Sequence, residues 1–361
     1  MKKRIFFLFS FILLIAPILN GCGETTSQNN VDEDGEEFVI YTTVYPLQFF
    51  AEQIGGQYVQ VETIYPPGVD EHTYEPSQKD MINMAEGDMF LYIGYSLEGF
   101  AETAKPILED EGVRTVAVGE MIQLDVDDVH DEENEEATTD DHDHEGETDE
   151  ATTDDHDHEG ETDEATTDDH DHEGEDTHSD EDGHNHTIDP HIWVDPIYSK
   201  EMAKVILDEL IDAIPDKEEI FTENYEQLAN KLDQLHEQFT EVTDQAQIKE
   251  FIVSHAAYGY WEKRYGLTQL SIAGISSAEE PSQKQLQEII DLVQDYELQY
   301  ILVEQNISNN LVEVVQREAG VEALSIHNLS VLTENDIEED RDYFSIMESN
   351  IETLKKALKV E

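Results

Sequence analysis

The chain has 361 residues, enough for two domains with substantial cores, and carries a formal net charge of −68 from 87 acidic and 19 basic side chains. So acidic a surface repels phosphate backbones and excludes nucleic-acid binding, which depends on Lys and Arg that neutralise phosphates. Cations are the natural partners of such a chain.

Residues 1–21 have the features of an export signal peptide, a basic start followed by an apolar segment. The alternative, a membrane-spanning helix, is disfavoured because the apolar segment is short and contains Pro17. The signal ends in Leu-Asn-Gly-Cys at 19–22, which resembles a lipobox, where the cysteine is lipidated and becomes the first mature residue. We therefore expect a lipid on Cys22 to anchor the protein to the outer face of the cytoplasmic membrane.

The use of Cys22 has a consequence for any metal site. It is the only cysteine, so a lipidated chain has no thiol left, and metal ligands must be imidazole nitrogens or oxygens. Residues 22–37 are polar, acidic and without periodicity, and we interpret them as a flexible tether.

Strands and helices alternate from residue 38 to residue 216, which predicts an α/β lobe with a mostly parallel sheet. Runs of β-branched and aromatic residues indicate the strands, and apolar residues at helical spacing indicate the helices. The predicted strands are 38–44, 58–64, 89–93 and 113–118, and the predicted helices are 47–54, 77–85 and 199–214.

A long amphipathic helix is predicted at 217–243, and at 1.5 Å per residue it spans about 40 Å, enough to run from one lobe to another. The alternation then resumes in a second lobe, 244–361. Its predicted strands are 251–253, 270–275, 300–303 and 323–326, and its predicted helices are 281–296, 311–319 and 343–359. The predicted fold class is α/β, with two lobes, each a mostly parallel sheet flanked by helices, joined by one long helix. Such a rigid linker predicts limited hinge motion.

Residues 125–187 form an insert in the first lobe that we predict to be disordered. A 14-residue acidic, histidine-containing sequence begins at Glu136 and recurs from Glu150 and Glu164, with no apolar residue larger than Ala to form a core. Paired imidazoles among carboxylates suit divalent ions, so the insert is expected to bind several ions weakly. Nine of the ten histidines in the insert are the candidates for this low-affinity binding: His142, His144, His156, His158, His170, His172, His178, His184 and His186.

A calcium site is the alternative interpretation of the insert. Asp155, Asp157, Glu159 and Gly160 are spaced as at the start of an EF-hand loop, but Thr166 stands where that loop requires a bidentate Glu. No flanking helices are predicted. Calcium is therefore expected only as a weakly bound counterion.

Three histidines outside the insert lie where α/β proteins bind ligands. His72 is in the loop after the second predicted strand, His191 lies where the insert returns to the fold, and His255 follows strand 251–253. Loops at the carboxyl ends of strands in two lobes would meet in a common cleft. Each histidine alone is more readily interpreted as an ordinary surface or core residue, but three similar placements favour a shared site.

Four segments together resemble a known family. They are Glu-His-Thr-Tyr-Glu-Pro-Ser at 71–77, Asp-Pro-His-Ile-Trp-Val-Asp-Pro at 189–196, Ser-His-Ala-Ala-Tyr-Gly-Tyr at 254–260 and Tyr-Phe-Ser-Ile-Met at 343–347. In order, spacing and context they are similar to the motif series of the cluster A-I solute-binding lipoproteins of ABC metal transporters. The resemblance covers about residues 38–358, and the insert stands where zinc-binding members often carry a His-rich loop.

The resemblance implies a monomeric binding protein, not an enzyme, that captures one divalent ion between its lobes and passes it to an ABC permease and its ATPase. By motif, it implies that His72, His191 and His255 ligate this ion. Manganese-binding relatives tend to have a carboxylate where His255 stands, so an imidazole there favours Zn²⁺ over Mn²⁺. Neutral imidazole is the binding form, and affinity is therefore expected to fall as the pH drops below about 6.5.

The fourth ligand is left open by the resemblance. Relatives that use an acid take it from the loop before the last helix, where this chain offers Glu334, Asp340 and Asp342 with no motif to choose among them. Glu71, directly before His72, is ranked first, a loop acid second and a water third.

Other side chains near these motifs have secondary interpretations. Asp189, Asp195 or Glu75 could accept the second ring N–H of a ligating histidine, although helix capping and turn formation explain them about as well. Trp193 is expected in the core. His236 is expected to be exposed on the long helix, and His327 is interpreted as a strand-end histidine without a metal.

Three other functions remain as alternatives. A manganese-binding member of the same family and a metal-buffering adhesin without a transporter both use the same site. A zinc hydrolase would use the three histidines with Glu71 as its base. The hydrolase is disfavoured because the chain contains no His-Glu-x-x-His helix.

Overall fold

The computed structural model describes residues 38–124, 188–305 and 310–360. The predicted signal peptide, the predicted lipidation site Cys22, the predicted tether and the insert 125–187 with its nine candidate histidines lie outside the described residues. None of the helices in the described part of the chain has the length and apolar character needed to cross a membrane.

The first lobe is built on a four-stranded parallel sheet with strand order β2-β1-β3-β4. Strand β3 lies wholly in the core, because its residues form an apolar run, and all four are buried. The strands are β1 (Phe38–Thr42), β2 (Val59–Thr63), β3 (Met89–Tyr92) and β4 (Arg114–Ala117), and the helices of this lobe are α1 (Tyr45–Gly55), α2 (Gln78–Ala85), α3 (Ala101–Asp110) and α4 (Pro196–Ala213).

The long helix is observed as α5 (Glu218–Asp244), within one residue of its predicted bounds. Its apolar stripe is buried at Phe221, Leu228, Leu232 and Phe239, among others. It packs against α1 and α4 on one side and against elements of the second lobe on the other. The prediction of two α/β lobes joined by one long helix is therefore confirmed.

The second lobe repeats the topology of the first, with parallel strand order β6-β5-β7-β8. The strand predicted at 270–275 begins two residues earlier than expected. The strands are β5 (Glu250–Val253), β6 (Thr268–Ser271), β7 (Tyr300–Glu304) and β8 (Glu322–Ile326), and the helices are α6 (Gly259–Tyr265), α7 (Gln283–Asp295), α8 (Asn310–Ala319), α9 (Glu334–Glu338) and α10 (Tyr343–Ala357).

Three helices, α3, α6 and α9, have no counterpart among the predicted elements. Helix α3 contains Pro106, which interrupts a helical pattern, and α6 and α9 have only seven and five residues, too few to show periodicity.

Two tryptophans join the lobes near the sheets' carboxyl ends. Both are fully buried. The Trp193 indole N–H donates to the Asn328 carbonyl at 2.6 Å, and the Trp261 indole N–H donates to the Val194 carbonyl at 2.8 Å. Buried indoles need such acceptors, so these bonds fix the segment around 191–194 against the second lobe. The predicted core position of Trp193 is confirmed.

Candidate metal centre

Three loops bring the candidate histidines together. His72 follows β2, His191 immediately precedes a short 3-10 turn that leads into α4, and His255 lies two residues beyond β5. Among the described residues, the group of side chains able to hold an ion consists of Glu71, His72, His191 and His255, with one ligand atom from each lying within 4.8 Å of all the others.

The three Nε2 atoms face one another. His191 Nε2 lies 3.2 Å from His72 Nε2 and 3.4 Å from His255 Nε2. Tetrahedral zinc with bonds to nitrogen of 2.0–2.1 Å requires ligand nitrogens about 3.3 Å apart. The two distances from His191 Nε2 therefore fit the ligand spacing of a small tetrahedral ion.

Buried carboxylates fix two of the rings. Asp189 Oδ1 lies 2.8 Å from His191 Nδ1, and Glu304 Oε1 lies 2.8 Å from His255 Nδ1. An ionised carboxylate can only accept, so each Nδ1 carries a proton, and Nε2 is the nitrogen left to ligate an ion. Asp189 is one of the three possible acceptors that the sequence offers.

Glu304 was not anticipated from the sequence. It is the last residue of β7, and its Oε1 also accepts from the Ser254 hydroxyl at 2.9 Å. The register of β5 and β7 pairs Val253 with Leu302, which carries Glu304 alongside His255. One feature of the sequence could have indicated Glu304. It is an acid at the end of an apolar strand, and that strand is predicted in the same lobe as the strand before His255.

Glu71 supplies an oxygen on the side of the first lobe. It is buried, and its Oε1 lies 3.9 Å from His72 Nε2. The same oxygen accepts from the Asn328 side-chain amide at 3.0 Å. The backbone N–H of His72 donates to Asp70, which in turn accepts from the Ser277 hydroxyl at 2.5 Å. Asn328 and Ser277 of the second lobe thus hold the loop that carries Glu71 and His72.

The pKa values of His72 and His255 are shifted in opposite directions. Burial, together with the neighbouring imidazoles of His191 and His255, lowers the pKa of His72 to about 2. For His255, burial also disfavours the charged form, but the carboxylates of Glu304, Glu71 and Asp189 outweigh it and raise its pKa to about 9. Burial raises the pKa of Glu71. A cation that enters this centre therefore replaces a proton on His255.

The three candidate acids of the loop before the last helix are exposed and lie outside the group of four. Glu334 begins α9, Asp340 follows that helix, and Asp342 caps α10 by accepting from the Ser345 N–H at 2.8 Å. Of the four acids considered as the fourth ligand, Glu71 is thus the one that the fold places within the group.

The remaining candidates have structural partners. Asp195 caps α4 and pairs with Arg264, whereas Glu75 is exposed. His327 follows β8 and bonds Asp336 at 3.2 Å, away from the centre. His236 was expected to be exposed, and this is wrong, because its ring is partly buried with Nδ1 3.1 Å from the Tyr265 hydroxyl.

Comparison with known proteins identifies the family of this chain. Residues 40–357 match the family described as zinc-uptake complex component A, periplasmic. The zinc-binding lipoprotein AdcA of Streptococcus pneumoniae is 31% identical over 329 residues, 91% of this chain. The chain spans 57% of the length of that relative. The high-affinity zinc uptake system protein ZnuA of Bacillus subtilis is 27% identical, with 99% of this chain and 98% of that protein covered.

Solved structures give the same result. The Zn(II)-bound ZnuA-like domain of Streptococcus pneumoniae AdcA superposes with a TM-score of 0.65 at 27% identity, covering 90% of this chain and 99% of that chain. The laminin-binding protein Lmb of Streptococcus agalactiae, described as a bifunctional adhesin and metal transporter, superposes with a TM-score of 0.67 over 89% of this chain and all of that one, but at 23% identity the likeness shows the fold alone. With its two-lobed fold and a match across residues 40–357, the chain belongs to the zinc-uptake complex component A (ZnuA) family of solute-binding proteins.

Proposed function

We propose that this protein captures Zn²⁺ outside the cytoplasmic membrane and delivers it to an ABC permease and its ATPase. The observation that carries the proposal is the convergence of three imidazole Nε2 atoms at 3.2 and 3.4 Å, spaced as a tetrahedral zinc ion requires. The names of the relatives as zinc-binding and zinc uptake proteins support the same cargo and a role with a transporter.

The proposed ligands are His72, His191 and His255, with Glu71 as the fourth. Glu71 is proposed over Glu334, Asp340 and Asp342 because its Oε1 already lies 3.9 Å from His72 Nε2. Three imidazoles and one carboxylate favour zinc over manganese, which prefers oxygen ligands. Four protein ligands also leave no open position for an activated water, so the centre suits capture rather than hydrolysis.

Two segments outside the described residues, the N-terminal segment with Cys22 and the insert 125–187, have proposed accessory roles. A lipid on Cys22 would tether the protein at the outer face of the membrane, and the insert 125–187 would hold further ions weakly near the cleft. The AdcA relative is named a zinc-binding lipoprotein, which supports the anchor.

Zinc titration calorimetry on a variant that lacks residues 125–187 can test whether the three histidines, and not the insert, form the tight site. We expect one tight site to remain and to disappear in the His191→Ala version of the same variant. The deletion should remove only weak binding. If the tight site were lost with the insert, the assignment of the three histidines would be wrong.

A further inference from the structure

The geometry points to Asn328 as the residue that positions the fourth ligand, Glu71, from the opposite lobe. This inference rests on the proposed function. Asn328 belongs to the segment after β8 in the second lobe, whereas Glu71 follows β2 in the first. The side-chain amide of Asn328 donates to Glu71 Oε1 at 3.0 Å, and both residues are buried.

The amide of Asn328 is fixed in the orientation that donates. Its Oδ1 accepts from the Ser330 N–H at 3.1 Å and from the Ser330 hydroxyl at 2.9 Å. A backbone N–H can only donate, so the atom that faces Ser330 must be the oxygen, and the NH₂ group must face Glu71. The amide therefore cannot turn to offer its own oxygen to an ion without losing the bond from the Ser330 N–H and placing its NH₂ group against that donor.

The backbone of Asn328 is held as firmly as its side chain. Its carbonyl accepts the Trp193 indole N–H at 2.6 Å, two residues beyond His191. The main chain of Asn328 thus contacts the segment that carries His191. Its side chain contacts Glu71. These bonds give the donor a defined place relative to the three histidines.

The bond between Asn328 and Glu71 has a specific consequence for the ion. Glu71 Oε1 is the oxygen that lies nearest His72 Nε2, and the amide donor occupies one of its lone-pair directions. The carboxylate is thereby held with one oxygen toward the histidines. Partners of this kind typically change metal affinity by 10- to 100-fold when they are removed.

A double-mutant cycle in the full-length protein tests this role. Zinc affinity is measured by competition with a chelator that buffers free zinc, so that weaker sites stay empty. We expect Asn328→Ala to weaken zinc binding by about tenfold. In the Glu71→Ala background, where the three histidines remain, Asn328→Ala should have no further effect, because the group that it positions is gone.

Ser277→Ala is the matched control. It removes another bond between the lobes, from Ser277 to Asp70, that holds the same loop without touching Glu71. Its effect on zinc affinity should be equal in the two backgrounds. A merely structural role of Asn328 in docking the loop would give it the same additive behaviour as Ser277, and that result would overturn the inference.

Ser330→Ala provides a second variant if Asn328→Ala folds poorly in thermal unfolding without metal. It leaves Asn328 and both ligands in place but frees the amide oxygen from one donor. We expect a smaller loss of zinc affinity that again vanishes in the Glu71→Ala background, and an equal loss in both backgrounds would contradict the inference. Absence of zinc binding by the unmutated protein would instead overturn the proposed function.

Discussion

At the scale of residues, buried carboxylates hold two of the three histidine rings in the candidate centre. Sequence motifs predicted that His72, His191 and His255 would come together, because each lies in a loop after a strand or where the chain returns to the fold. The role of Glu304 could not be predicted, since it depends on which residue of β7 stands beside His255. That register is set by packing between β5 and β7 and has no motif of its own.

Proton release on zinc binding is the residue-scale prediction. His255, with its pKa raised to about 9, is protonated at pH 7.5 and must lose its proton to ligate the ion. Affinity should therefore fall as the pH drops from about 9, a higher threshold than the value near 6.5 expected from the sequence. His72, with its pKa lowered to about 2, is already neutral and contributes no proton.

Glu304→Gln is the matched variant for this prediction. It keeps a hydrogen-bond acceptor for His255 but removes the charge that raises the pKa. Calorimetry in buffers of different ionisation enthalpy should show about one proton fewer released per zinc than in the unmutated protein at pH 7.5. Any proton from Glu71 is common to both proteins. Equal proton release would show that Glu304 does not control the charge of His255.

At the scale of elements, the short helix α9 orders the segment between β8 and α10. Helix α9 begins with a capping box in which Asp336 and Thr333 bond each other's backbone N–H groups. Asp336 is buried and also bonds His327 at 3.2 Å and Arg341 at 2.8 Å. Helix α9 was missed because the sequence signal of five residues is weak, whereas its cap depends on tertiary partners.

The pH dependence of stability should report on this cap. Burial alone would raise the pKa of Asp336, but the hydrogen bonds from His327 and Thr333 outweigh it and hold the pKa below its usual value. A depressed carboxyl pKa stabilises the folded state above the unfolded pKa near 4, and this contribution is lost as the pH falls further. Asp336→Asn should lower the free energy of unfolding by about 1–3 kcal/mol at pH 7.

The same comparison at acid pH completes that test. In urea denaturation, the difference between Asp336→Asn and the unmutated protein should shrink as the pH approaches 3. A difference that stays constant with pH would indicate that the loss comes from packing and not from the charge of Asp336.

Helix α5 makes a separate prediction about stability. Phe239 is fully buried and stacks on Tyr265 with ring centroids 5.4 Å apart, and it also packs against Trp261. Phe239→Ala should lower the free energy of unfolding by about 3–5 kcal/mol. Gln238→Ala, on the exposed side of the same helix, should change it by less than about 0.5 kcal/mol. Similar losses in both variants would mean that α5 is stabilised by propensity rather than by its buried face.

At the scale of the whole molecule, the alternation of strands and helices was enough to predict two lobes and the helix between them. The relation of the lobes was harder to predict, because it depends on bonds between residues far apart in sequence. The indole of Trp193 bonds Asn328, and the indole of Trp261 bonds Val194. Together with α5, which packs on both lobes, these bonds leave little room for rotation between them.

Small-angle scattering can measure that restriction. In a variant without residues 125–187, the profiles with and without zinc should superimpose, because the indole bonds that join the lobes do not involve the side chain of a proposed ligand. A clear decrease in the radius of gyration on zinc binding would contradict the rigid arrangement and indicate closure of one lobe on the other.

The central claim is that a single zinc ion lies between the lobes on three histidines. A crystal structure of the zinc-loaded protein, with the ion located by anomalous diffraction, tests it most directly. We predict one fully occupied ion bonded to Nε2 of His72, His191 and His255 at about 2.0–2.1 Å, with a Glu71 oxygen completing a tetrahedron. A fully occupied ion bound elsewhere, with these three imidazoles free of metal, would contradict the account.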